Sequence, residues 1–532
     1  MKNAELIART LEQAGVRWVF GVPSGPVLPL IEALGHSDVQ YVLTASETSA
    51  GFMATTIGAM TGIPGVCVAT LGPGATNLAT GVGAAWLDRA PVIALTCNVP
   101  TPWLDRRIQM RIDHHQLFRP ITKATLPLRA DNVAQQLGKA LAIACDEPPG
   151  PVHLDLPEDV ALALATEASS PSVDLSPGFP DVSDEAAAVL SKALAGSRRP
   201  LIMTGLTFTR SRARDRLLEF IERQGIPFIS TMHAKGFLPE SSPYWAGVLG
   251  RARRSTVQAF IDRADLIIAV GYDPIEINYE EWARGIPVVH ISTEEADVDA
   301  TVRLTNVVGA LDPILDRLAH LSPVPNDWTI DELAAHRREL SSALRPATSS
   351  QLVTSQVLDL LRSKLPPDAI LAYDVGAHTH QIATQWETDE PFTCFSTNGW
   401  SSMGFGMPAA YAAKLANPHR TVVGVIGDGC FQMTAGELAM ARRLNLPVPI
   451  VVLDDGWLGL IKVKQERKGY QYSGVALGDV PEAPSHYFGV PVRAAKNVRE
   501  LGEALDWALS LNAPSVIEAQ VDVNLYSNTV YD

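Results

Sequence analysis

Residues 421–456 read TVVGVIGDGCFQMTAGELAMARRLNLPVPIVVLDDG. The apolar run Thr421–Ile426 stops at Gly427-Asp428-Gly429. A helical stretch containing Glu437-Leu438-Ala439 follows, and a second apolar run, Val448–Leu453, ends in Asp454-Asp455-Gly456. Short Val- and Ile-rich runs on either side of a helix are strands buried on both faces, hence neighbours in a parallel sheet. Both acidic sites then stand at strand C-termini, where open α/β sheets bind ligands. Glycines beside Asp428 let backbone approach a phosphate, and the N–H groups opening the next helix favour an anion. Carboxylate oxygens suit Mg²⁺, which often bridges a carboxylate to phosphate oxygens. Asp455 lies 27 residues after Asp428, one strand–helix–strand excursion that can bring both carboxylates to adjacent strand ends. A GDG alone is an ordinary turn and a lone Asp455 an ordinary helix cap. Their pairing is what carries information.

The same pattern extends in both directions. Apolar runs at Trp18–Val22, Tyr41–Thr44, Gly65–Thr70, Val92–Thr96, Leu201–Thr204, Leu266–Val270, Val288–Ile291, Ile370–Tyr373 and Ser515–Val521 alternate with amphipathic segments. This predicts an α/β fold. A chain of 532 residues exceeds one hydrophobic core,. Ser- and Pro-rich breaks at Thr166–Asp184 and at Leu321 to Ser350 divide it into three open parallel-sheet domains, 1–165, 185–322 and 350–532,.

Composition narrows the function. A net charge of −15, without basic clusters, argues against nucleic acid or an anionic membrane as partner,. Five widely spaced cysteines, Cys67, Cys97, Cys145, Cys394 and Cys430, form no CxxC pair, which points to a reducing cytoplasm,. The amino terminus shows no export signal,. The stretch Thr48–Leu87 lacks any charge and superficially suggests a membrane span,. Its repeated Gly and Pro residues instead predict helix, buried strand, Gly72-Pro73-Gly74 turn and helix inside a large domain,. That turn lacks the third glycine of a dinucleotide fingerprint, having Asn77 there, so a nicotinamide site is not expected,. The one carboxylate between Asp38 and Asp88 is Glu47, at a helix start in apolar surroundings. Such a residue is either a helix-terminal charge or a functional acid.

Taken with GDG at 427–429, the stretches FGVPSGPVLPL (20–30), VLTASETSAGFMA (42–54) and GVCVATLGPGATNLATGVGAAWLDRAPVIALT (65–96) resemble the thiamine-diphosphate enzymes of the acetolactate synthase and pyruvate decarboxylase superfamily. The fragment Val270–Glu276 resembles the catabolic, FAD-independent acetolactate synthases. The resemblance implies thiamine diphosphate and Mg²⁺ as cofactors. It also implies pyrimidine-binding, middle and diphosphate-binding domains in that order. Glu47 would be the catalytic carboxylate, hydrogen-bonded to the aminopyrimidine so that the cofactor activates itself. The metal ligands would be Asp428, Asp455 and the Trp457 carbonyl. Here the family's usual Asn-Asn is replaced by Asp454-Asp455, which adds negative charge beside the diphosphate.

The resemblance further implies cofactor contacts from Pro23, Gly25, Gly74, Asn77, His378, Ser401, Met403, Gly427, Gly429, Cys430 and Leu460. Met403 would hold the bent cofactor, although a Met is also an ordinary core filler. On the substrate side stand Met110, His114, His115, Leu460, Ile461 and Lys464. The two histidines are candidate proton shuttles or loop residues. Lys464, with Arg106, Arg107 and Arg111, leaves room for an anionic substrate,. The implied reaction is decarboxylation of a pyruvate-like 2-oxo acid and transfer to a carbonyl acceptor, in a homodimer or homotetramer. A 2-oxo acid decarboxylase releasing an aldehyde is the alternative, and a non-catalytic binding relative a further one.

Overall fold

The computed structural model describes residues 1–167, 175–176, 178–179, 184–277, 280–345, 349, 351–478 and 482–530. Most of the expected break at 166–184 lies outside them.

Three sheets form in chain order. The first contains β1 (Trp18–Gly21), β2 (Gln40–Leu43), β3 (Gly65–Ala69), β4 (Val92–Asn98), β5 (Ala124–Pro127) and β6 (Pro151–Pro157), arranged 2-1-3-4-6-5. The second contains β7 (Pro200–Thr204), β8 (Phe228–Ser230), β9 (Trp245–Val248), β10 (Leu266–Val270), β11 (Val288–Ser292) and β12 (Leu304–Val308), arranged 12-11-10-7-8-9. The third contains β13 (Ile370–Tyr373), β14 (Cys394–Phe395), β15 (Val422–Gly427), β16 (Pro449–Asp454), β17 (His486–Tyr487), β18 (Val490–Ala495) and β19 (Ser515–Gln520), arranged 14-13-15-16-19-18-17. Pairings between these strands are parallel except β17 on β18. This edge strand is only two residues long, which keeps the row of unpaired N–H and C=O groups at that side of the sheet short,.

The charge-free stretch is packed inside the protein. It forms the helices Glu47–Thr61 and Pro73–Leu87 on either side of β3. The two helices cross at their glycines, where a Cβ on Gly51 would lie 2.7 Å from the Gly81 Cα. No helix among the described residues is long and apolar enough to cross a membrane.

These helices also join the first unit to the third. Phe52 meets Phe405 edge-on, with ring centroids 5.5 Å apart, and one buried cluster runs from Phe20 through Phe52 to Tyr411 and Ile426. Polar clamps reinforce the contact. Both Glu437 oxygens accept the Ala45 N–H at 3.0 Å, and Asp88 accepts from Thr397 Oγ1 and from the Asn398 and Gly399 amides.

The middle unit is tied in by His233, whose ring nitrogens lie 3.5 Å from Asp88 and 3.4 Å from Glu276. Burial pulls this imidazole's pKa down, but the two carboxylates beside it outweigh that and raise it from 6.5 to about 9. A raised folded-state pKa contributes stability that is complete below the unfolded value and lost as pH rises through the folded one. The melting temperature should therefore fall between pH 6.5 and 9. In a pH series of thermal melts, His233→Gln should start lower and show a flatter slope across that window. An unchanged slope would remove His233 as its source.

Candidate active site

Adjacent strands β13, β15 and β16 bring three loops together at their C-terminal ends. Between them lies a cavity of about 530 Å³. Asp428, first residue of the helix Asp428–Thr434, accepts the Gly456 N–H at 2.8 Å and the Gly429 N–H at 2.7 Å. The β15 loop is thus tied to the β16 loop through the carboxylate itself. Asp455 accepts the Trp457 N–H at 2.8 Å and also lines the cavity. Burial, followed by the charge of Asp428, pushes Asp454 up to about 7 and Asp455 up to about 8. Burial raises Asp428 as well. Asp428 and Asp455 both line the cavity, with Asp454 beside them, and a divalent cation on the oxygens of Asp428 and Asp455 would offset the repulsion within the cluster, so this donor pair fits a hard cation such as Mg²⁺,.

The diphosphate side fits equally well. His378 is buried between two glycines, its Cε1 2.8 Å from where a Gly376 Cβ would stand and 3.1 Å from one on Gly427. Burial holds its pKa near 4, so the ring is neutral at pH 7. Its Nε2 has no protein partner among the described residues and the ring lines the cavity. Gly429 leaves space for Met403, whose Cε would be 3.2 Å from a Cβ there. Cys430, nearly fully buried, points its thiol to the Val375 carbonyl at 3.3 Å.

Ser401 lines the same cavity with φ of 51°, a left-handed conformation uncommon outside glycine,. The neighbouring turn is fixed by Asp374, which is fully buried and accepts the Val375, Gly404 and Gly406 amides at 2.8, 2.9 and 3.0 Å. Asp374 directly follows β13, but its role is not legible in the linear sequence. Its anchoring role depends on a turn 30 residues away. Leu460, Ile461, Trp457 and Lys464 line the cavity from the loop after β16 and the helix Gly459–Arg467. The middle unit adds Arg251 and Arg254, which sequence reading missed.

The first-unit candidates form a second constellation. Glu47 opens its helix behind the N-cap Ser46 and is 9% exposed. Its Oε2 accepts from Asn77 Nδ2 at 3.2 Å, and its Oε1 would be 3.2 Å from a Cβ on Gly74. The turn before Gly74 is set by Gly72, with φ of 62°, against which the Met110 carbonyl is pressed.

His114 holds that turn from below. Its Nε2 accepts the Gly72 N–H at 3.3 Å, while Nδ1 faces Asp155 at 2.8 Å. Thr96 and Asn98 complete the buried network on the same carboxylate. Both ring nitrogens of His114 are engaged inside the protein. His115 pairs through Nδ1 with Thr125 Oγ1 at 3.0 Å. Pro23 and Gly25 lie exposed after β1. None of these residues lines the Asp428 cavity, whose described lining begins at Met232.

The three sheets, with ligand loops at the strand ends of the third, define a cofactor-dependent α/β enzyme. The chain belongs to the thiamine pyrophosphate enzyme family, whose N-terminal TPP binding domain matches residues 1–117, central domain residues 187–318 and C-terminal TPP binding domain residues 374–519. It is 33% identical to the probable acetolactate synthase large subunit of Methanocaldococcus jannaschii, covering 98% of this chain and 92% of that protein. With the acetolactate synthase isozyme 2 large subunit of Escherichia coli K12 it shares 30% identity over 98% and 96%. With the Corynebacterium glutamicum acetolactate synthase large subunit the figures are 31%, 87% and 76%. The chain is an acetolactate synthase-like thiamine-diphosphate enzyme.

Proposed function

We propose that this enzyme uses thiamine diphosphate and Mg²⁺ to decarboxylate a pyruvate-like 2-oxo acid and transfer the remaining acyl unit to a carbonyl acceptor. The carrying observation is the meeting of Asp428, Asp455 and the neutral His378 at one cavity on three neighbouring strands. When bound, thiamine diphosphate supplies the carbon nucleophile that makes the substrate carboxylate a leaving group. Asp428, Asp455 and the Trp457 carbonyl hold the cation. His378 and the amides around Gly427 and Gly429 take the diphosphate oxygens. Ser401, Met403, Cys430 and Leu460 shape the wall, and Ile461 and Lys464 face the substrate.

Glu47 holds a proton at the pyrimidine nitrogen, with Asn77 and Gly74 fixing its carboxylate and Pro23 and Gly25 completing that surface. Since Glu47 does not line the Asp428 cavity of its own chain, the working site takes it from a second copy. That supports a homodimer at least, and a homotetramer is compatible with it. Exposed apolar side chains at Leu28, Leu43 and Met433 flank the two constellations and suit such burial,. Five free cysteines support a cytoplasmic setting,.

CO₂ release and product identity with pyruvate alone test the reaction. Acetolactate is expected. Acetaldehyde as the only product would make the enzyme a simple decarboxylase and a lyase.

His114 acts as a positioning residue in this reading. Asp155 accepts its Nδ1 proton, which leaves Nε2 to accept from Gly72 and fixes the turn carrying Gly74 and Asn77 against Glu47. Asp155→Asn should favour the wrong tautomer and lower kcat roughly ten- to a hundredfold by misplacing the carboxylate. His115→Ala should cost much less. Equal losses in both variants would restore a direct proton-transfer role to the pair.

A further inference from the structure

One oxygen of Asp455 is committed to its own loop, Oδ1 accepting the Trp457 N–H at 2.8 Å. The other, Oδ2, lies 3.4 Å from where a Cβ on Gly459 would stand, at the start of the helix Gly459–Arg467. The same point is 3.0 Å from Cδ2 and Cε2 of Tyr526, so the missing side chain at 459 leaves the phenol ring room beside this oxygen. Tyr526 is buried, lines the cavity with Asp455, and is hydrogen-bonded through its hydroxyl to that carboxylate. An ionised carboxylate only accepts, so the phenol is the donor. Thr354 Oγ1, opening the helix Thr354–Lys364, donates in turn to the phenol oxygen at 3.4 Å.

Tyr526 is delivered by the 3₁₀ turn Val523–Asn528, which follows β19. Val521 bridges to Leu352, and the Asp522 amide donates to the Leu352 carbonyl at 2.8 Å. Asp522 caps the turn by accepting the Asn524 amide at 2.9 Å. Tyr526 and Val530 pack with Ala377 and Val463 in a small buried cluster. Ala377 opens the helix bearing His378, and Val463 belongs to the helix bearing Lys464. The hydroxyl is thus placed by contacts outside the loop Asp454–Trp457.

Resting on the proposed Mg²⁺ site, we infer that Tyr526 is a positioning residue for the cation, its hydroxyl holding the Asp455 carboxylate in the orientation that presents an oxygen to the metal. Groups that hydrogen-bond a ligand fix its rotamer and so its affinity. The carboxylate has two acceptor oxygens, and with one on Trp457 the second is free to turn unless a donor holds it. An Asn at 455 has a single acceptor oxygen, already shared by Trp457 and the metal, so the phenol proton would contribute little there.

That difference supplies the test. Mg²⁺ is titrated by calorimetry into the full-length protein in excess thiamine diphosphate. Tyr526→Phe should weaken Mg²⁺ binding about tenfold, the lower end for loss of a group that orients a ligand, while the cation-free melting temperature stays nearly unchanged. In an Asp455→Asn background the same change should weaken binding less than about twofold. Gly459→Ala keeps the hydroxyl but presses the ring outward. It should weaken Mg²⁺ binding in the otherwise unaltered protein and add nothing to Tyr526→Phe. An Mg²⁺ affinity untouched by Tyr526→Phe, or lowered equally in both backgrounds, would leave the residue a packing element and overturn the inference. A wild type that binds no Mg²⁺ with thiamine diphosphate present would instead overturn the metal reading beneath it.

Discussion

Glu47→Gln should lower kcat by roughly 10²- to 10⁴-fold while leaving the melting temperature and the affinity for thiamine diphosphate nearly unchanged. The amide has the size of the carboxylate and can keep the contact with Asn77 Nδ2 through its oxygen. The neighbouring backbone is held by other groups: Ser46 caps the helix, and Glu437 takes the Ala45 amide. The variant therefore tests proton chemistry and little else. A carboxylate that is 9% exposed, in a stretch without another charge from Asp38 to Asp88, has few structural reasons to be there. Were it only a helix-terminal charge, the substitution would cost a fraction of a kcal/mol in stability and nothing in rate. Steady-state turnover beside calorimetry of cofactor binding separates the two. Full turnover with intact binding would end the proposed mechanism.

The sequence disclosed the parts of the fold in which hydropathy and burial coincide. Strands β1, β3, β4, β7, β10, β11, β13, β15 and β16 are interior strands with continuous apolar runs, because both of their faces are covered,. Edge strands β5, β9, β12, β14 and β17 escaped, being short or half polar. Strand β6 escaped for a different reason. Its sequence PVHLDLP is fully buried, yet it carries His153 and Asp155, which face Thr96 and His114 in a polar network. Hydropathy counts those residues as surface, whereas the fold uses them to hold Gly72.

The candidate site divides in the same way. Asp428, Asp455 and His378 were legible because each follows a recognisable strand, and strand ends converge by geometry. Arg251 and His380 were not, since they meet Lys464 only after the middle and third units pack. The linear sequence places His114 beside His115, but the structure separates them. One is locked beneath the Gly72 turn with both nitrogens used, and the other lies against Thr125.

Asp428→Ala should abolish Mg²⁺-dependent retention of thiamine diphosphate, and Asp455→Asn should not. Asp428 joins the two ligand loops by accepting from Gly456 as well as offering oxygen to a cation, so its loss removes both the ligand and the tie. Asn at position 455 keeps an oxygen for the Trp457 amide and for the metal while removing an acid whose ionisation is opposed by burial and by Asp428 in the folded protein but not in the unfolded chain,. In the cation-free protein that relief should raise stability by about 1 kcal/mol, seen as a melting temperature roughly 1–3 °C higher. Adding Mg²⁺ and thiamine diphosphate at about a hundred times their dissociation constant should stabilise the wild type by roughly 2.7 kcal/mol. Asp455→Asn should retain most of that increment, and Asp428→Ala should show none. Chelation should return the wild type and Asp455→Asn to their separate cation-free values. The two acids would then differ in kind: Asp428 is required for binding, whereas Asp455 is an acid whose ionisation the folded protein resists without the cation, at a cost to stability that the bound cation relieves. If Asp455→Asn melted lower than the wild type in the absence of metal, mutual repulsion would not be what shapes this cluster.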